Sequence, residues 1–442
     1  MISKKQILLL FVSIVIFSVL TSINFSGEPI GMQQGKSANR FEGWAYRFHI
    51  DFVKSHIYYG LRFTKGQDIF YETKEPYKHH PPGLGLLLTA TYTTFGFKPV
   101  IARGLGLIFY IGIMTISILL LKESFRKNKR LLLFYVLILS IIPISTVYGK
   151  HIPQLEGSIQ VFLILFTAHF YIKRIRDNYV SDKKQTRIII IGSVLASFYS
   201  EAGILFVVLL CANEIFIAKK KDKFRYKLIL SYIIILVFMC AQLMAVTHSF
   251  NIVDEFVNTL ENYEKEESKL LRGKEFALLH LQVYTPLVTV LAIAGVIFYI
   301  FLKKHKEEKE IWFATKLLVI FYFSYLFIFY YASYKIPLNH MIILPIEVYF
   351  AAFMLTIIYD HIKVSEFTKV LIITIIFLTI FKQSIAYMVG FYGLEIYDYK
   401  LWNVILNKIN DFSLQPVYVL SIVIVVWSIL KEYNKKLFLR NY

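Results

Sequence analysis

The chain has 442 residues, of which 57% are hydrophobic, 17% aromatic and only 18% charged, with a mean hydropathy of +0.56. A soluble domain carries about 25% charged residues, so this composition excludes a water-soluble enzyme and demands lipid around the surplus apolar surface. The formal net charge of +19 invites a nucleic-acid partner, but Lys and Arg cluster between apolar runs, at 122–130, 173–187, 219–227 and 303–309, which is the positive-inside pattern and not a nucleic-acid surface.

The first apolar run, at 6–23, follows MISKKQ; it is longer than a signal-peptide core and no A-x-A site follows, so it reads as an uncleaved span. A long loop over 24–98 comes next. In it Ile50, Val53, Ile57 and Leu61 recur at helical spacing with Asp51, Lys54, Tyr58 and Arg62 on other faces, which predicts an amphipathic helix lying on the membrane. PPGLGLLLTATYTTFGF (81–97) is apolar but too short to span, and reads as a second interfacial segment.

Further spans are predicted near 99–121, 131–148 and 157–174, then as a tight hairpin of 188–200 and 203–218 turning at Ser200-Glu201-Ala202-Gly203. Others follow near 228–247, 283–302, 311–332, 341–359, 370–389 and 416–430, with another surface helix at 252–260. The fold class is thus all-α and polytopic, a single unit over 1–442 with about twelve transmembrane helices and no soluble domain. With the N-terminus in the cytoplasm, every basic cluster and the C-terminal tail fall on the cytoplasmic side of the cell membrane, leaving loops 24–98, 149–156, 248–282, 333–340 and 390–415 outside. Cys211 and Cys240 sit in apolar runs, so neither a disulfide framework nor a CxxC site is available.

Charge near lipid is costly unless solvated or used, and three external clusters carry it: HID (49–51) with EPYKHHPPG (75–83), YGKHIPQLEG (148–157), and YKIPLNH (334–340). Each has a structural reading beside the functional one. Asp51 suits a solvated place early in a surface helix; His79 and His80 suit a cap before the helix that Pro81 and Pro82 open. Glu156 suits an interface position, Lys335 a snorkelling lysine, and His151, His248, His280 and His340 are weak signals alone. Tyr330, Tyr331, Tyr387 and Tyr392 read as an aromatic belt.

The order of these pieces resembles the polyprenyl-phosphate-sugar-dependent glycosyltransferases of the GT-C membrane fold, specifically the protein O-mannosyltransferase and aminoarabinose (lipid A) transferase group. The resemblance rests on Asp51 in the first external loop, Gly60 about a helix later, KHHPPG (78–83), the TTFGF run, and Arg103 opening the next span. Glu156 in the second external loop and KIPLNHMIILP (335–345) extend it. His79-His80 stand where the group has Glu-Lys, with Lys78 beside them, and Asp51 is followed by Phe52 where the group often has a second acid.

The resemblance implies transfer of a sugar from a polyprenyl phosphate to a lipid, protein or glycan acceptor on the extracytoplasmic side. Asp51 would then be the base, supported by Glu156. Lys78, His79, His80, Arg103, Lys335 and His340 would meet the donor phosphate, where charge develops as it leaves. One base acting by direct displacement implies inversion. A divalent metal ion at His79 is a possible cofactor. The alternatives are a lipid-linked glycan polymerase or ligase, and a transporter or flippase; against the last, the spans at 99–121, 228–247 and 370–389 carry almost no ionisable residues.

Overall fold

The computed structural model describes residues 15–22, 41–64, 70–74, 83–124, 129–150, 157–218, 223–247, 269–301, 319–321, 323–325 and 337–392. These residues are mostly helical, with no strand among them. In chain order the helices are α1 (15–22), α2 (Phe41–Thr64), α3 (Gly83–Phe95), α4 (Pro99–Ser124), α5 (Lys129–Ile141), α6 (Pro143–Thr146), α7 (Ser158–Arg176), α8 (Lys183–Tyr199), α9 (Glu201–Phe216), α10 (Lys223–Thr247), α11 (Lys269–Tyr284), α12 (Pro286–Phe301), α13 (Leu344–His361) and α14 (Glu366–Tyr392). Two 3-10 turns, Tyr148–Lys150 and Pro337–Ile343, lie among them.

Five described helices are long and apolar enough to cross a membrane: Pro99–Leu121, Ser158–Arg176, Lys223–Gln242, His340–His361 and Glu366–Met388. Each matches a span expected from hydropathy, and the chain is a multi-pass membrane protein. The count of about twelve is not reached among the described residues: only 15–22 of the span expected at 6–23 is described, α8 and α9, expected as spans, have 17 and 16 residues and fall outside the long apolar set, and two further spans are interrupted. The span expected at 131–148 stops at Ile141, because Pro143 lacks an N–H and starts a new, four-residue helix instead. The span expected at 283–302 is a pair of helices, Phe276–Tyr284 and Pro286–Tyr299, bent by 100°. Thr285 takes a left-handed φ of 72° at that break, and Pro286 follows it. The spans expected at 311–332 and 416–430, and the surface helix at 252–260, lie wholly or mostly outside the described residues.

The hairpin of α8 and α9 turns on Ser200 alone, since Glu201, Ala202 and Gly203 of the expected turn are already the first residues of α9, and its closeness depends on glycine. A Cβ on Gly203 would stand 1.9 Å from the Ala196 carbonyl oxygen. On the other side of the bundle, a Cβ on Gly295 of α12 would stand 2.1 Å from the Phe350 oxygen of α13. Small residues at crossing points are how membrane helices gain packing when lipid removes the hydrophobic incentive to associate.

Polar contacts sort the bundle into two ends. At one, the Arg174 guanidinium of α7 donates to both carboxylate oxygens of Glu214 on α9, Nε to Oε1 at 3.0 Å and Nη2 to Oε2 at 3.2 Å, with both side chains fully buried. Tyr171 donates to the same carboxylate at 3.0 Å, and Arg225 of α10 donates to the Glu214 and Ala218 carbonyls. Arg130 of α5 pairs with Asp360 of α13 at this end too. Arg130, Arg174 and Arg225 each come from a different basic cluster of the sequence. Arg174, however, is not the solvated topogenic charge that its cluster suggests: it is a buried, bidentate partner. The opposite end carries α2, α3, the starts of α4, α7 and α13, and the ends of α8, α11 and α14.

Candidate functional site

Helix α2 is amphipathic, but its buried stripe is rotated from the one expected. Phe52, Val53, Ser55 and His56 are buried while Ile57 is 42% exposed and Tyr58 70% exposed. The cause is α3, which packs Leu84 and Leu88 against Val53 and so selects the 52/53/56 face. Ile57 and Tyr58 are left exposed. Gly60, with φ 71° and ψ 168°, breaks α2 one turn before its end. Only a residue without a Cβ adopts that conformation cheaply. The break lets the Thr64 hydroxyl reach the Gly60 carbonyl and His56 Nδ1, each at 3.2 Å.

Asp51 is half-buried on this helix. Its Oδ2 accepts the Tyr71 backbone N–H at 3.0 Å. Tyr59 donates its hydroxyl to the Tyr71 carbonyl at 3.1 Å and stacks on the Tyr71 ring, while Phe52 packs on Phe70. Residues 70–74 are thus strapped onto α2, immediately before 75–80. Burial raises the Asp51 carboxyl above its ordinary value; the Tyr71 hydrogen bond pulls it back, Glu72 pushes it up and Lys54 pulls it down. A carboxylate with a raised proton affinity is better matched to taking a proton. The structural reading of Asp51, a solvated place early in the helix, is not met: Asp51 is the eleventh residue of α2 and half-buried, with one oxygen on the Tyr71 N–H.

A small apolar cluster gathers the backbone around several expected site residues. It contains Val53 of α2, Leu84, Leu88 and Tyr92 of α3, Ala102 of α4, Ile159 of α7 and Tyr199 of α8. Val53 is two residues from Asp51, Ala102 adjoins Arg103, and Ile159 stands three after Glu156. Arg103 is itself 2% exposed, at the start of α4 where α3 lies across it. Lys78, His79, His80, Glu156 and Lys335 lie outside the described residues, so of the residues expected at the site only Asp51, Arg103 and His340 are described. Among the described residues no group of three His, Cys, Asp or Glu could hold a metal ion.

His340 is 1% exposed and belongs to a group that spacing does not reveal. His280 Nδ1 lies 3.1 Å from His340 Nδ1, and His280 Nε2 lies 3.1 Å from Glu347 Oε1. Tyr284 donates its hydroxyl to the His340 carbonyl, and the Phe276 ring lies 4.8 Å from the His340 ring. His280 and Glu347 are sixty-seven positions apart and were weak or silent as sequence signals; the one hint available was Glu347 in the first turn of a helix opened by Pro345, where a carboxylate is favoured. Tyr387 is likewise more than a belt residue, because its hydroxyl pairs with that of Tyr148 at 2.6 Å.

A cavity of about 570 Å3 lies between α1 and the middle of α4, lined by Phe17, Thr21, Leu107, Met114 and Ile118. Among the described residues none of those that line it is ionisable.

No protein-family model matches the chain, and neither does any curated protein. Solved structures do, and they define the class: the chain has the GT-C membrane fold. It is similar to ArnT from Cupriavidus metallidurans bound to undecaprenyl phosphate, with a TM-score of 0.53 and 13% identity over 96% of this chain and 77% of that one. It is also similar to the Archaeoglobus fulgidus oligosaccharyltransferase in the apo form, with a TM-score of 0.53 and 13% identity over 86% of this chain and 56% of that one. The same organism's AglB, in complex with an inhibitory peptide and a dolichol-phosphate, gives 0.50 and 14% identity, again over 56% of its length. The chain therefore spans just over half of the archaeal proteins.

Proposed function

We propose that this protein is a membrane glycosyltransferase that moves a sugar from a polyprenyl-phosphate donor to an acceptor hydroxyl on the extracytoplasmic side, with inversion. The observation that carries the reading is the GT-C fold shared with a protein bound to undecaprenyl phosphate. It is supported by a half-buried carboxylate, Asp51, strapped to a juxtamembrane helix at the end of the bundle opposite the basic clusters.

In this mechanism the acceptor oxygen attacks the anomeric carbon, the bond from that carbon to the phosphate oxygen breaks, and the polyprenyl phosphate departs with the electron pair. Asp51 takes the acceptor proton, because a neutral hydroxyl is a poor nucleophile. The leaving phosphate needs no acid, only positive charge and hydrogen-bond donors where its oxygens gain charge. Lys78, His79, His80, Arg103, Lys335 and His340 are the groups proposed for that, with Glu156 supporting Asp51. A divalent ion at His79 is a further proposal, tested by chelation and metal add-back.

The experiment is release of polyprenyl phosphate by the purified protein from a polyprenyl-phosphate sugar, with Asp51→Asn beside the wild type. The amide keeps an oxygen for the Tyr71 N–H but cannot accept a proton, so release should fall by about 10²- to 10⁴-fold. Unchanged release in Asp51→Asn removes the base assignment.

A further inference from the structure

Both backbone polar groups of Tyr71 are held by side chains of α2. Asp51 Oδ2 accepts the Tyr71 N–H at 3.0 Å, and the Tyr59 hydroxyl donates to the Tyr71 carbonyl at 3.1 Å. Asp51 and Tyr59 are two turns apart, about 12 Å along a helix axis, yet they meet the same residue. Helical side chains lean toward the N-terminus, so a long side chain at 59 covers the turn before its own. Tyrosine carries a donor at the far end of that reach; phenylalanine would cover the same ground and hold nothing. The chain that the two side chains grip is itself a closed turn, in which the Lys74 N–H donates to the Phe70 carbonyl at 2.8 Å with Lys74 at a left-handed φ of 60°. Rings complete the attachment: Phe52 lies against Phe70, Tyr58 and Tyr59 lie against Tyr71, and Lys74 Nζ stands 5.6 Å from the centre of the Tyr59 ring.

We propose that Tyr59 is a positioning residue for the base: by fixing the Tyr71 carbonyl it holds the turn so that the Tyr71 N–H occupies Asp51 Oδ2, and Oδ1 is left to take the acceptor proton. The catalytic part rests on the proposed function; the coupling of Tyr59 to Asp51 through Tyr71 does not. Among the described residues the Tyr71 N–H is the one hydrogen bond that the Asp51 carboxylate accepts. A carboxylate pinned by one oxygen presents the other in a fixed direction, and a misplacement of about 1 Å costs a reaction about 10²-fold. The same N–H favours the ionised form, so releasing it raises the proton affinity of Asp51. Loosening the turn therefore makes the base stronger and worse aimed at once. The other charged groups facing Asp51 are Lys54 on α2 and Glu72 on the turn, while Lys74 is turned to the Tyr59 ring. Helix α3, packed on α2, carries Tyr92 as its one titratable residue.

The test is Tyr59→Phe in the full chain in lipid nanodiscs, with aspartate labelled by 13C at the carboxyl and Asp51 assigned by its loss in Asp51→Asn. The variant keeps the ring and removes only the donor. The Asp51 titration should move to higher pH, and kcat for polyprenyl phosphate release should fall about tenfold, short of the loss for a full 1 Å displacement, with KM for the donor unchanged. Tyr58→Phe, whose hydroxyl takes no part in holding the turn, should leave both as in the wild type. In an Asp51→Asn background Tyr59→Phe should cause no further loss, because it acts through the carboxylate. An Asp51 titration and a kcat in Tyr59→Phe equal to those of the wild type overturn the inference, and so does an equal loss of kcat with and without the Asp51 carboxylate. Should the wild type release no polyprenyl phosphate, the proposed function and the catalytic part fall together, while the Asp51 titration still decides the coupling.

Discussion

Asp51 has one oxygen committed to the Tyr71 N–H at 3.0 Å and a proton affinity raised chiefly by burial. The sign of its pH dependence follows. A base must be ionised, so activity falls as pH drops through the Asp51 titration, and burial puts that acidic limb above the ordinary aspartate value of 3.8. The pH profile of kcat/KM for polyprenyl phosphate release checks this; a limb at or below 3.8 contradicts it. At the other end of the bundle Glu214→Gln strips the charge that Arg174 needs. Leaving one member of a fully buried pair alone costs about 3–5 kcal/mol, so this variant should unfold at markedly lower temperature in detergent. Arg174→Met combined with Glu214→Leu should recover much of the loss, because the stranded charge is gone.

The elements are held together by close backbone approaches, and a glycine at such a place and one away from it should respond to a methyl group with opposite signs. Gly295→Ala puts a Cβ 2.1 Å from the Phe350 carbonyl oxygen, which neither helix can relieve by moving a side chain. It should destabilise by about 1–3 kcal/mol, the ordinary cost of overpacking. Gly104→Ala meets nothing within 4 Å, and in a helix interior it should stabilise by about 0.5–1 kcal/mol. Thermal unfolding of both variants side by side checks the contrast. Gly60 differs from either, since open space surrounds it but its φ of 71° is unfavourable for any side chain.

For the whole molecule, the expectation is that Thr94, at the end of α3, and Lys184, at the start of α8, lie on opposite sides of the membrane; both are exposed. Single cysteines at these positions in intact cells, in a background with Cys240 replaced, should react with an impermeant maleimide at 94 and not at 184. Labelling at both positions or the reverse pattern overturns the topology. The outline of this architecture was legible in hydropathy and charge because lipid forces helices to satisfy their own backbone and excludes Lys and Arg from the core. The five long helices, the hairpin on Ser200 and the short interfacial α3 all follow from that rule. What it cannot reach is anything set by packing between distant segments. The face of α2 that is buried was decided by α3, the break at Thr285 by a left-handed residue before Pro286, and the burial of Arg174 by a carboxylate forty positions away. Hydropathy and order of motifs alone determined that the chain spans a membrane, and pointed to a GT-C likeness and to Asp51. Only the tertiary structure decided that His280, His340 and Glu347 lie within hydrogen-bond distance of one another, because a hydrogen bond acts over about 3 Å of space and leaves no spacing in a sequence that separates its partners by sixty residues or more.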